Sequence, residues 1–188
     1  MQTLNDHAIS TTVAWLERVV IGLNLCPFAK AVHAKKQVHF VVSNAFKADA
    51  LLVDLKRELC LLMETDPEKV ESTLLIHPNV LNDFVEYNHF LVLCDFALEA
   101  MKLDGIVQIA SFHPNYQFAD VEFDDVTNYT NRSPFPTLHL LREESVTRAV
   151  QTFPGGNGIY ERNIATLNKL GKAGMDDLIS DLNPVRAK

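Results

Sequence analysis

The chain has 188 residues, which is enough for one well-filled hydrophobic core and short for two domains. Hydrophobic residues make up 47% of the chain and charged residues 22%, values that are typical of a globular protein and exclude a fibrous or disordered one. The net charge of −7 gives no overall positive field that would attract phosphate backbones, so we expect no nucleic-acid partner. We expect residues 1–188 to form a single domain.

The sequence shows neither the pattern of a signal peptide nor an apolar run of membrane-spanning length. The first twenty residues carry acidic side chains and lack a basic start followed by an apolar run, so they do not resemble a signal peptide. No apolar run approaches the roughly 18 residues that span a bilayer. Cys26, Cys60 and Cys94 are odd in number and show no CxxC spacing, which predicts reduced thiols. We therefore expect a cytoplasmic protein with no membrane partner.

The spacing of apolar residues predicts alternating helices and strands along most of the chain. Apolar residues three and four apart indicate helices, and short β-branched runs indicate strands. In chain order the predicted elements are a helix over 13–23, a strand over 37–43, a helix over 47–64, a strand over 71–77, a helix over 80–103, a strand over 105–112, a strand over 137–141, a helix over 143–153, a helix over 159–170 that ends at Gly171, a helix over 175–182 and a loose tail over 183–188.

The order of these elements predicts the fold class. The first three strands begin near residues 37, 71 and 105, at intervals of 34, and one helix separates each pair. This βαβ pattern favours parallel neighbours joined by right-handed connections. We predict an α/β domain with a three- to four-stranded, mainly parallel or mixed sheet and flanking helices.

The segment from Pro114 to Pro136 interrupts this pattern, because it shows no convincing period. A segment of that length without regular structure is uncommon in a compact domain unless it covers or lines a site. We interpret residues 114–136 as a functional loop that forms the wall of a pocket.

Two predicted strands end in nearly the same sequence, IHPN at 76–79 and FHPN at 112–115. Parallel strands bring their carboxyl ends to one edge of a sheet, where open α/β sheets bind ligands, so His77 and His113 are expected to face each other there. The prolines that follow hold each histidine on a stiff backbone. Asn79 is the predicted N-cap of the next helix, whose positive end would favour a neutral His77. A structural alternative is that both imidazoles bond to nearby backbone.

Cys26, which also precedes a proline, is the third candidate. With His77 and His113 it would form a ligand set acceptable to zinc or another divalent transition metal. Alternatively, its thiol is a nucleophile activated by one of the histidines, or it is a buried residue that closes the first helix. His139 lies in an apolar stretch and is a reserve third imidazole.

The loop supplies candidates for substrate binding. Arg132 carries the planar fork that suits a carboxylate or a phosphate, so it is the predicted anchor for a small anionic molecule. The alternative is an arginine that braces its own loop by binding carbonyl groups. Asn131, Asn115 and Tyr116 complete the predicted substrate-binding set.

The chain resembles the bacterial family of domains of unknown function numbered 1415. The likeness runs from about Val13 to Gly171, and its most specific blocks are GLNLCPFA at 22–29, IHP at 76–78, ASFHPNYQF at 110–118, residues 127–143 and IYERN at 159–163. The resemblance implies membership of the family and supplies no reaction, cofactor or catalytic residue.

The leading hypothesis is a small-molecule enzyme with a pocket at the strand ends. His77 and His113 would act there as base or ligands, Cys26 as ligand or nucleophile, and Arg132 as anion anchor. The alternative is a non-catalytic module that uses the same groups to hold a metal or a metabolite.

Overall fold

A four-stranded sheet forms the centre of the fold. The computed structural model describes residues 3–152, 158–180 and 182, so the predicted tail at 183–188 lies outside the described residues. The strands are β1 (Val38–Val42), β2 (Ser72–Ile76), β3 (Val107–Phe112) and β4 (Thr137–Arg142). Their order in the sheet is β1-β2-β4-β3; β1 and β2 are parallel, and β4 is antiparallel to both of its neighbours. The predicted α/β class is confirmed. The sheet was predicted to be either mainly parallel or mixed, and it is mixed.

Helices flank the sheet, and most of them overlap a predicted helix, although none was predicted over residues 29–34. They are α1 (Leu4–Trp15), α2 (Ala29–Ala34), α3 (Ala48–Glu64), α4 (Phe84–Ala100), α5 (Glu143–Thr152) and α6 (Ile159–Ser180), with a π-helical segment at Leu16–Ile21 and a 3-10 helix at Val126–Thr130. The first helix begins well before the predicted residue 13, because Thr3 and Asp6 form a capping box that starts it. Within the described parts of the chain, no helix has the length and apolarity needed to cross a membrane.

The strand β4 changes the predicted neighbours of β2 and β3. Thr137 at the start of β4 pairs with Ile76 at the end of β2 and with Phe112 at the end of β3. The expectation that β2 and β3 pair directly was wrong, because a later antiparallel strand occupies the place between them. Both strands still run in the same direction, so their carboxyl ends reach the same edge of the sheet.

The two faces of the sheet carry different helices. Leu75 on β2 packs in a cluster with the buried leucines of α3 and with Tyr87 and Phe90 of α4. Leu74, the preceding residue, packs with Trp15 of α1 and with Leu167 of α6. Successive strand residues point to opposite faces. We call these the α3/α4 face and the α1/α6 face.

The N-terminus of α4 differs from the prediction. The helix begins at Phe84, and its N-cap is Asp83, whose side chain accepts hydrogen bonds from the backbone N–H groups of Val85 and Glu86 at 2.9 and 3.0 Å. Asn79, the predicted cap, lies in the turn before the helix. The carboxylate of Asp83 satisfies two amides that the first helical turn leaves without partners.

Gly171 divides α6 into two helical parts, as the sequence predicts. Its φ of 71° and ψ of 172° lie outside the helical region, in backbone space that is open almost exclusively to glycine. The second part brings Asp176 to the hydroxyl of Tyr129, which donates a hydrogen bond of 2.7 Å, and Lys172 to within 3.0 Å of Asp124. The kink therefore fastens the loop 114–136 to the C-terminal helix.

The position of the α4 cap can be tested by two substitutions. We expect Asp83→Ala to lower the free energy of unfolding by about 1 kcal/mol, because two helical amides lose their acceptor. We expect Asn79→Ala, the matched control, to change it by less than about 0.5 kcal/mol. Urea denaturation followed by circular dichroism measures both. A larger effect at Asn79 than at Asp83 would contradict this assignment.

Candidate functional site

His77 lies at the carboxyl end of β2 on the α3/α4 face and is fully buried. Its Nδ1 atom is 3.0 Å from the carbonyl oxygen of Val80. Because a carbonyl only accepts, this nitrogen carries the hydrogen, and Nε2 carries a lone pair. That Nε2 atom is buried and has no hydrogen-bond partner among the residues described. Burial, more than any neighbouring charge, lowers the pKa of His77 to about 4, so the imidazole is neutral.

His113 lies at the carboxyl end of β3 and is equally buried. Its Nδ1 accepts a hydrogen bond of 3.0 Å from the backbone N–H of Asn115, so Nε2 carries the hydrogen and donates to the carbonyl of Leu81 at 3.2 Å. Burial also lowers the pKa of His113. Both ring nitrogens of His113 therefore have backbone partners. This is the structural alternative that the sequence analysis gave for these histidines.

Tyr87 of α4 lies between the two imidazoles. Its ring centroid is 5.7 Å from that of His77 and 5.1 Å from that of His113. Its hydroxyl donates to the carbonyl of Thr137 and accepts from the backbone N–H of Phe112, both at 3.0 Å. The hydroxyl thus joins the end of β3 to the start of β4. We call His77, Tyr87 and His113 the edge cluster.

Three predicted substrate-binding residues surround His113. The side-chain amide of Asn131 donates to the carbonyl of Ser111 at 3.0 Å, and its backbone carbonyl accepts from the backbone N–H of His113. Tyr116 donates its backbone N–H to the carbonyl of His113 at 3.1 Å, and Asn115 bonds the His113 ring. The structure therefore brings Asn115, Tyr116 and Asn131 to the edge cluster. Substrate binding by them stays a prediction.

Arg132 makes the contacts expected of an arginine that braces its own loop, which is the second of the two predicted roles. Its Nε donates to the carbonyl of Tyr116 at 3.1 Å and its Nη2 to that of Phe123 at 2.6 Å. Its guanidinium also lies over the rings of Phe123 and Tyr129, 4.7 and 4.9 Å from their centroids. These carbonyl and cation–π contacts hold the loop together. Anion binding by Arg132 stays a prediction.

Cys26 is not part of the edge cluster. It packs against the hydrophobic cluster of Trp15 and against the neighbouring cluster of Leu141, both on the α1/α6 face. His77 and His113 lie on the α3/α4 face, so the sheet separates them from the thiol. The predicted convergence of Cys26, His77 and His113 is therefore not observed. Each of the three residues precedes a proline, but this shared feature does not fix the face of the sheet on which a side chain lies.

The same separation removes the predicted zinc ligand set. Across residues 3–152, 158–180 and 182, no three His, Cys, Asp or Glu side chains are grouped so that they could hold a metal ion. A structural or catalytic zinc site uses three or four protein ligands. Cys26, His77 and His113 thus do not fit a divalent transition metal in this arrangement.

A second group of buried polar atoms lies on the α1/α6 face. Oγ1 of Thr12, Nε1 of Trp15 and Nε2 of His139 are buried without hydrogen-bond partners in the described part of the protein. The ring of Phe112 is 5.3 Å from that of Trp15 and 6.4 Å from that of His139. Thr12 precedes Trp15 by three residues, so both side chains lie on one side of α1. We call Thr12, Trp15 and His139 the inner polar group.

Cys26 and His139 share this face. Burial lowers the pKa of His139 to about 4, so its imidazole is neutral, and burial raises the pKa of the Cys26 thiol above its usual value. Backbone N–H groups of Phe28 and Ala29 point at the sulfur and oppose that rise without cancelling it. On this face Cys26 is therefore a thiol and His139 is an uncharged imidazole. Of His77, His113 and His139, only His139 lies on the same face of the sheet as Cys26.

Three residues of these clusters, Tyr87, Thr12 and Trp15, had no functional prediction from the sequence. Tyr87 shares one side of α4 with the buried Phe90 and Cys94, and this spacing marks it only as a core residue. Trp15 is the single tryptophan and carries a polar N–H on a helix that packs against the sheet. A hydrogen-bonding group on a buried helical face is the signal that could have identified these residues, with the hydroxyl of Tyr87 on the apolar side of α4 and the N–H of Trp15 beside two buried threonines on α1.

The hydroxyl of Tyr87 should contribute measurably to stability. We expect Tyr87→Phe to lower the free energy of unfolding by about 2 kcal/mol or more, because the backbone groups of Phe112 and Thr137 lose a buried partner. Tyr160→Phe removes a hydroxyl from a residue that is 60% exposed and is the matched control, with an expected change below about 0.5 kcal/mol. Urea denaturation compares the two, and equal effects would refute the bridging role.

The neutral histidines should make stability depend on pH. In the unfolded chain His77 and His139 take up protons near pH 6.5, whereas in the fold both stay neutral down to about 4. The unfolded state binds more protons in that interval, so stability falls as the pH falls. Between pH 7 and pH 5 we expect a loss of about 2 kcal/mol for each of these histidines.

Denaturation curves of two glutamine variants at several pH values test this dependence. His139→Gln should flatten the decline between pH 7 and pH 5 by about 2 kcal/mol, because it removes one titrating group. The exposed His89→Gln is the control and should leave the slope close to that of the wild type. A slope that His139→Gln leaves unchanged would show that this imidazole does not titrate as described.

The comparisons with known proteins agree with the resemblance seen in the sequence. No curated protein and no solved structure matches the chain. A family model does match, over residues 7–177, and this range includes the edge cluster, the inner polar group and Cys26. The chain therefore belongs to the family described as "Protein of unknown function (DUF1415)".

Proposed function

We propose that the protein is a small-molecule enzyme whose reacting groups lie on the α1/α6 face, with Cys26 as nucleophile or acid and His139 as proton acceptor. One observation carries the proposal: the three polar atoms of the inner polar group are buried without partners, and two of its rings pack against Phe112. Buried polar atoms in folded proteins are almost always paired, so each exception needs a cause, and a catalytic role or a bound group is one such cause.

The chemistry of the inner polar group indicates the kind of ligand. Trp15 offers only an N–H donor, and Thr12 offers a hydroxyl that donates or accepts. These neutral donors suit a carbonyl or carboxylate oxygen of a small substrate. His139 is uncharged and is therefore in the form that can accept a proton. This assignment moves the predicted partner of Cys26 from the edge cluster to His139.

A second candidate, the non-catalytic metabolite-binding module, is favoured by the raised pKa of Cys26. A nucleophilic cysteine needs thiolate character, which an adjacent positive charge usually supplies. If the Cys26 thiol stays protonated when the ligand is bound, the inner polar group could bind that ligand, but the thiol could not attack it. The predicted catalytic use of His77 would depend on its Nε2, the unpartnered nitrogen of the edge cluster.

A ligand screen followed by a conversion assay separates the candidates. Small keto acids, carboxylic acids and esters are tested for an increase in the thermal unfolding midpoint, and each stabilising compound is then followed by NMR for chemical conversion. We expect the wild type and Cys60→Ser, whose thiol is exposed, to convert a stabilising compound. We expect Cys26→Ser to bind the same compound and to convert it at least about 100-fold more slowly.

The other outcomes decide between the remaining possibilities. Binding without conversion by the wild type would favour the metabolite-binding module. Conversion that survives in Cys26→Ser would remove the cysteine from the mechanism, and His77→Gln would then test the edge cluster. If the compound raises the thermal unfolding midpoint of Thr12→Val and of His139→Gln as much as that of the wild type, the ligand does not occupy the inner polar group.

A further inference from the structure

A charged cleft of about 820 Å³ lies at the edge of the sheet opposite the edge cluster. It opens where β1 and β2 begin and β4 ends, between α2, the segment that follows α3, and α5. Its volume falls within the range of small-molecule sites, which are usually preformed hollows of several hundred cubic ångströms. The cleft is lined neither by the inner polar group nor by Cys26, so the inference drawn from it does not rest on the proposed enzyme activity.

Glu71 gives the cleft a buried negative charge. The residue lines the cleft and is only 8% exposed. Its Oε1 atom is 3.7 Å from Nη2 of Arg148, which is an ion pair too long for a hydrogen bond. The carboxylate lines the cleft, and its ion pair with Arg148 leaves room for a closer charged partner. A ligand ammonium placed against Glu71 would supply that closer partner.

Arginine side chains provide fixed positive charge on the same walls. Arg148 donates to Glu144 at 3.1 Å and to Ser145 at 2.9 Å, both on its own helix α5. Arg142 donates from Nη2 to three backbone carbonyls at and beyond the end of α3, including Thr65 at 2.8 Å. Because these groups are already oriented, an anionic ligand group would lose little binding free energy to side-chain ordering.

The balance of charges determines the class of ligand. Three basic side chains and four acidic side chains line the cleft, so neither sign dominates. A simple anion or a simple cation would meet like charges, whereas a molecule that carries both signs can place each beside its opposite. Between the charged groups the lining is apolar, with Phe28, Val32, Met63 and Ile106. That surface suits a short hydrocarbon portion between or beside the two charges.

We infer that this cleft binds a small zwitterion of the amino-acid or dipeptide class, with its ammonium at Glu71 and its carboxylate at Arg148 and Lys35. The buried acid selects the amine, the arginine and the lysine select the carboxylate, and the apolar wall accepts the side chains. Recognition of both ends at once would discriminate against molecules that carry one charge only.

Calorimetric titration of the full-length protein with three related probes tests the inference. The probes are leucyl-leucine, its N-acetyl derivative, which lacks the ammonium, and its C-terminal amide, which lacks the carboxylate. We expect leucyl-leucine to bind with a Kd below about 1 mM and each blocked derivative to bind at least tenfold more weakly. No detectable binding of leucyl-leucine at about 10 mM, or equal binding of all three probes, would overturn the inference.

Paired variants locate the two ends of the probe. Glu71→Gln should weaken leucyl-leucine at least tenfold and leave the N-acetyl derivative unchanged, and Arg148→Gln should do the same with the amide as the unaffected probe. Glu99→Gln and Lys169→Gln, which change charge at exposed sites away from the cleft, are the controls. Unchanged leucyl-leucine binding by Glu71→Gln with native circular dichroism would also overturn the inference. The wild-type comparison of the three probes decides the question if either cleft variant does not fold.

Discussion

Side chains at successive positions of a β-strand point to opposite faces of a sheet, and this alternation decides which reactive groups meet in the protein. At the carboxyl edge it places His77 and His113 against Tyr87 on the α3/α4 face. On β4 it places His139 on the other face, where the Phe112 ring packs near it and near Trp15. Two chemically distinct interiors result from one sheet, with the imidazoles of His77 and His113 on the α3/α4 face and that of His139 on the α1/α6 face.

The two interiors differ in how their polar atoms are satisfied. In the edge cluster, backbone groups occupy both nitrogens of His113 and the hydroxyl of Tyr87, and only one nitrogen of His77 remains without a partner among the residues described. Such a network specifies one arrangement of strand ends and is costly to disturb. The inner polar group has the opposite character, since its rings pack against Phe112 and its polar atoms stay unpaired within the described structure. The first arrangement is typical of structural rigidity and the second of a site that receives a partner.

The sequence predicts the elements of this fold well, because their signals are local. Leucines at helical spacing place α3 correctly, and Gly171 marks the break in α6 because its backbone conformation needs a glycine. The arrival of His77 and His113 at one edge of the sheet is also predictable, since both follow strands that run in one direction. The place of β4 is not, because strand order depends on contacts between residues far apart in the chain. The face of Cys26 is not predictable either, because it depends on which hydrophobic clusters the segment after the first helix packs against.

Other residues show where local reasoning chose the wrong partner. Asn79 and Asp83 are both good N-cap residues, and only the folded path of the chain shows that Asp83 reaches the amides of the first turn. Arg132 has the chemistry of an anion anchor, and the loop's own carbonyls and rings occupy it. In both cases the residue type was informative about the kind of interaction, and the tertiary structure selected the partner.

The late position of β4 in the chain has a consequence for biosynthesis. As the polypeptide leaves the ribosome, β1 and β2 can pair once residue 76 has emerged, but β3 has no neighbour in the sheet until residues 137–142 follow. Until then the nascent chain exposes the unsatisfied backbone of β3 together with the apolar surface that β4 later covers. A pause in translation between these two strands would prolong the exposure of an unpaired strand edge, which is the feature of a sheet that most readily associates with other chains.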